Sequence, residues 1–133
     1  MPATDLSADY VAGVISGFET TLFDSTHGRL GIGDDNTAFD SNQTQLQAIV
    51  NAGDYLIKSL YSGSPNRDPA NDGSDHKVSY TILVTTNEGN FDWNEWSLQN
   101  SAGLMLIREV EYIGTKTDAS QWMFEVTIAF NLT

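Results

Sequence analysis

Trp122-Met123-Phe124-Glu125-Val126-Thr127-Ile128-Ala129-Phe130-Asn131-Leu132 decides the fold. Its large apolar residues (Trp122, Phe124, Val126, Ile128, Phe130 and Leu132) fall on every second position. A helix would spread six such side chains around its circumference, whereas a strand places them all on one side. The same period of two runs through Val78, Tyr80, Ile82 and Val84, which alternate with Ser79, Thr81, Leu83 and Thr85. Two half-buried strands near the C-terminal half predict a chain built mainly from sheets.

Working outward, two more strands are expected at Trp93 to Gln99 and Leu104 to Tyr112, joined by a short Asn100–Gly103 hairpin connection. Gly114 to Asp118 reads as the turn before the last strand. Arg29 to Gly33 and Tyr55 to Tyr61 are further strand candidates, and Gln43 to Ala52 is open between a strand and a short helix. Ser62 to His76, with Pro65, Pro69, Gly63 and Gly73, reads as one long loop.

The N-terminal segment has a different period. Leu6, Tyr10, Val14, Ile15, Phe18 and Leu22 recur at three- and four-residue spacing, the stripe of an amphipathic helix. Ser7 is placed to cap it, Asp9 adds charge to its favourable end, and Gly13 and Gly17 predict an end near Phe18. The expected architecture is a single domain, residues 1–133: an antiparallel β-sandwich, jelly-roll-like or Ig-like, with a helical arm over about residues 6–20.

Charge narrows the function. The chain of 133 residues carries 18 acids and 6 bases, a net charge of −12. Phosphate contacts require cations to replace counterions, so nucleic acid and anionic membranes are disfavoured partners. There is no cysteine, which removes disulfides, thiolate metal sites and cysteine nucleophiles. The first five residues hold an acid and no base, unlike a secretory signal, and the chain is expected to be made in a cytoplasm.

Three constellations could carry chemistry. Asp92 and Glu95 lie among Phe91, Trp93 and Trp96, the palette of a sugar site. Three residues apart on a strand, they are expected on opposite faces, the acids capping a strand end while Trp93 and Trp96 anchor the core. Asp68, Asn71, Asp72, Asp75 and His76 offer hard oxygen ligands for Ca²⁺, but without the EF-hand register, and Asp68, Asp72 and Asp75 are weak metal candidates beside an ordinary solvated loop. His27 and His76 fall near turns, and no Gly-x-Ser-x-Gly motif accompanies them. Gly31-Ile32-Gly33 lacks the third glycine of a dinucleotide fingerprint.

One further pattern spans Ile32 to the C-terminus. It comprises Gly31-Ile32-Gly33-Asp34-Asp35-Asn36-Thr37-Ala38-Phe39, Gln43-Thr44-Gln45-Leu46 and Asn90-Phe91-Asp92-Trp93-Asn94-Glu95-Trp96. It continues through Met105-Leu106-Ile107-Arg108-Glu109-Val110, Gly114-Thr115-Lys116 and the closing strand. This order resembles small virion structural proteins of tailed bacteriophages, with Ser97 and Ile113 departing from the pattern. The resemblance implies a non-enzymatic β-sandwich without a cofactor, located on the virion. It implies a capsid decoration (cement) protein, binding the major capsid protein or another virion protein as a symmetric homo-oligomer such as a trimer. A tail, neck or fibre adaptor is the alternative; a carbohydrate-binding module or a Ca²⁺-stabilised adhesin ranks lower. Tyr10, Val14 and Phe18 are expected at an interface. Trp93, Trp96, Trp122, Phe124 and Phe130, with Ile128, are expected in the core or at an intersubunit contact.

Overall fold

The computed structural model describes residues 6–130, with side chains from residue 9 onward. The elements are α1 (Leu6–Ser16), β1 (Gly28–Gly33), α2 (Gln47–Val50), β2 (Tyr55–Ser59), β3 (Asn66–Arg67), β4 (Lys77–Val84), β5 (Asp92–Asn100), β6 (Met105–Thr115) and β7 (Trp122–Ala129). They form two antiparallel sheets, one of four strands in the order β2-β1-β5-β6 and one of three in the order β3-β4-β7. This is the sandwich that the alternating patterns predict.

Alternation decides which side chains meet between the sheets. Leu30 lies opposite Leu98 and Ile32 opposite Trp96 in the first sheet. In the second, Tyr80 lies opposite Val126 and Ile82 opposite Phe124. Leu30, Ile32, Ile82, Val84, Trp93 and Leu98 are completely buried. Each large side chain removed from water contributes about 1.5–3 kcal/mol. The Trp93 ring stacks edge-on against Trp122 at 4.9 Å and Phe124 at 5.6 Å, and Trp96 meets Phe124 at 6.2 Å, tying β5 to β7.

A bulge between Trp93 and Glu95 breaks the strict alternation of β5. Trp93 and Trp96, three apart, consequently both reach the core. The expectation that Asp92 and Glu95 face opposite ways assumes an unbroken strand, and it does not survive the bulge.

Local differences from the sequence reading have simple causes. The Gln43–Ala52 ambiguity resolves to the short helix α2. β3, two residues long, pairs with β4 inside the expected 62–76 loop. β6 runs on through Gly114 and Thr115, because they pair with Trp93 and Asp92. β7 ends at Ala129, leaving Phe130 half-exposed, so Phe130 is not a core residue of this chain. Leu132 lies outside the described residues.

The arm departs from its single expected stripe. α1 begins at Leu6, so Ser7 falls inside it rather than before it. It ends in a Schellman turn: Gly17 takes φ +81°, Phe18 N–H bonds to Gly13 O at 2.8 Å and Gly17 N–H to Val14 O at 3.2 Å. Tyr10 is buried, its ring edge-on to Phe23 at 4.9 Å and its hydroxyl donating to Thr21 O at 2.8 Å. Tyr80 donates to Phe23 O at 3.0 Å, and burial pushes its phenol up to about 12. Val11, Val14, Ile15 and Phe18 are exposed, Val14 least.

Candidate functional site

Glu95 and Arg108 form a fully buried ion pair, with Arg108 Nε donating to Glu95 Oε1 at 2.7 Å. Glu95 is on β5 and Arg108 on β6, on the face of the four-stranded sheet turned away from its partner sheet. Gly31 and Gly33 of β1 lie on this same face, opposite Ser97 and Glu95. Their missing side chains leave room for the segment between β1 and β2: a β-carbon on Gly31 would stand 2.9 Å from Leu46 Cδ1, and one on Gly33 2.9 Å from Ala48 Cβ. Leu46 and Ala48 are completely buried there.

The ion pair holds that segment down. α2 has no side-chain cap of its own at Leu46. Glu95, distant in sequence, supplies one, accepting Gln47 N–H at 2.9 Å and Ala48 N–H at 2.8 Å. The rest of the Arg108 fork donates to Gln43 Oε1 at 3.0 Å and Thr37 O at 2.9 Å. Every charged atom of the pair has a partner within the chain, while the Ser97 hydroxyl on the same face is buried without a hydrogen-bond partner. The ion pair fixes the position of a 21-residue strap, residues 34–54, over the sheet face. The sequence reading places Glu95 at a strand end and takes Arg108 only as part of the Met105–Val110 stretch. The one available signal was the small-residue pair Gly31 and Gly33 beside an acid and a base.

An open depression of about 640 Å³ lies at the end of the sandwich where β5 starts and β6 stops. Asp34, Asp54, Asp92 and Asp118 line it, with Phe91 and Lys116. Some of its polar groups are tied internally. Asn94 Nδ2 donates to Asp34 O at 2.8 Å, the Thr115 hydroxyl donates to Asp92, and the buried Lys116 ammonium donates to Asn90 Oδ1 at 2.8 Å. Among the described residues no group of three or more histidine or acidic side chains is arranged to hold a metal ion.

The 68–76 loop folds on itself. Asp68 accepts the amides of Asp72 and Gly73, and Asp72 accepts Ser74 N–H at 3.0 Å; the hydroxyl and amide of Ser74 hold the Asp72 carboxyl below its usual range. Asp75 pairs instead with Arg67 at 3.5 Å, and His76 is exposed. His27 is part-buried, its Nδ1 2.8 Å from Asp24; the backbone and ring of His27 hold that carboxyl below the usual range. The two histidines thus sit in separate turns, as the sequence places them.

Of the expected interface residues, Tyr10 belongs to the chain's own fold, while Val14 and Phe18 lie on the exposed stripe with Val11 and Ile15. Trp93 and Trp96 are buried, and Trp122 and Phe124 are partly buried against them. No helix among the described residues is long and apolar enough to cross a membrane. No family model, curated protein or solved structure matches the chain.

Proposed function

We propose that this chain is a non-enzymatic structural protein of a bacteriophage virion, a capsid decoration protein that docks on the outer shell through its N-terminal arm. The observation that carries the docking role is the exposed apolar stripe. Ile15 is 82% and Phe18 88% exposed on an element otherwise anchored by Tyr10. Apolar side chains held outward on a fixed helix are characteristic of an assembly surface. The placement on a virion rests on the sequence resemblance through Gly31–Phe39, Asn90–Trp96 and Met105–Val110. In this reading copies are arranged symmetrically by the shell lattice, and the acidic surface keeps them soluble before they bind.

The structure weakens the support for the carbohydrate reading. Trp93 and Trp96, the rings it would use as platforms, are taken up by the core. The Ca²⁺-adhesin reading predicts a melting temperature lowered by EDTA. The decoration reading is tested by quantitative mass spectrometry of purified particles. Hundreds of copies per particle support it, a few tens transfer the chain to the tail, neck or fibre, and none refutes a virion role.

A further inference from the structure

Deepening that reading, and resting on it, we infer that the arm's partner is a protein groove with an apolar floor and a basic rim, and not a second copy of this chain. Two independent observations point there. The first is geometric. Val11, Val14 and Ile15 follow the i, i+3, i+4 spacing of a helix that inserts into a groove; Val11 and Ile15 stand clear of Tyr10, and Val14, one turn on from Tyr10, borders them. The Schellman turn extends the row beyond the last helical residue, because Gly17 in the left-handed conformation lets Phe18 point outward.

The second is the fate of the cations. The chain has six, and all lie within the described residues. Arg108 is buried against Glu95, and Lys116 is buried on Asn90. Lys58 is paired with Glu88 and Arg67 with Asp75. Arg29 donates to the carbonyls of Thr26 and Gly28, and Lys77 lies within electrostatic reach of Asp72. None is on the arm, whose charged residues are Asp9 and, just beyond the helix, Glu19. Two copies meeting through the stripe would bring together two chains of net charge −12, with no lysine or arginine on either arm. A basic rim instead turns the same field into attraction and speeds encounter.

The test uses the full chain and three probes: light scattering of the chain alone, a synthetic amphipathic helix of leucine and lysine with its leucine–glutamate counterpart, and neutral phosphatidylcholine vesicles. The variant is Ile15→Ser with Phe18→Ser, which removes the anchors without adding charge. The oligomeric state of the chain should be the same for the wild type and the variant. The leucine–lysine helix should bind it, about tenfold or more weaker with the variant and weaker in high salt, and the glutamate helix should not bind. Self-association abolished by the variant would overturn the inference in favour of a second copy. Vesicle binding abolished by it would do so in favour of a membrane. Lysine-helix binding that ignores the variant, or no binding, would leave the stripe without its assigned partner. Particle copy number is read separately, so a failed virion role and a failed partner chemistry are distinguishable.

Discussion

Glu95 and Arg108 meet at 2.7 Å on the outer face of the four-stranded sheet, both excluded from solvent, and between them bond the strap at Thr37, Gln43, Gln47 and Ala48. Removing one partner leaves the other charge buried and unpaired, a loss of about 3–5 kcal/mol. Arg108→Met and Glu95→Gln should each destabilise the protein, with the double variant losing less than the sum because the two share one interaction. Urea denaturation of the four proteins measures this. Additive losses would mean the pair does not act as a unit.

Beyond the strap's short helix and its C-cap Asn51, Ala52 takes φ +58°, and Gly53 N–H closes a Schellman turn on Ala48 O at 2.7 Å. A left-handed conformation costs a residue with a β-carbon about 1 kcal/mol, partly offset because glycine loses more freedom on folding. Ala52→Gly should therefore raise stability by up to about 1 kcal/mol. A melting temperature that falls would contradict the assigned turn.

Much of this was legible and some was not. The period of two in Val78–Val84 and Trp122–Ala129 gave both long strands of the second sheet, because the inward positions of each are apolar and the outer positions mostly polar, on β7 fully solvated. The strap was illegible because its chemistry is non-local. Glu95 lies far along the chain from the amides it caps, and Arg108 reaches back to Thr37 and Gln43. Alternation also failed at Trp93 to Trp96, where a bulge leaves no trace in residue type. On the arm, Tyr10 and Val14 are four apart on one helix face, so spacing alone could not separate the buried residue from the exposed one.

Tyr10 and the exposed stripe should separate in stability experiments. Tyr10→Ala removes a buried ring and its hydrogen bond to Thr21, and should cost about 2–4 kcal/mol. Ile15→Ser and Phe18→Ser should each change stability by about 0.5 kcal/mol or less, since both side chains are in solvent. Thermal denaturation of the three variants decides it. A large loss from Phe18→Ser would place that ring in the fold instead of at a docking surface.

Acid should act through Glu88. Hydrogen bonds from the Lys58 side chain, then from Thr85, lower its carboxyl from 4.5 to about 2. A carboxyl lowered by folding adds stability above its ordinary value, and that contribution disappears as pH falls from about 4.5 towards 2. Between those limits the wild type should lose stability more steeply than Glu88→Gln, which has no such proton to bind. Parallel curves would show that the Lys58 contact is not maintained in solution.

The docking role is most directly tested by adding the purified chain back to particles assembled without it. Saturable binding of the wild type, lost when Ile15 and Phe18 are both serine although the variant still melts like the wild type, is the predicted result. Equal binding by the two proteins, or no binding by either, would contradict it.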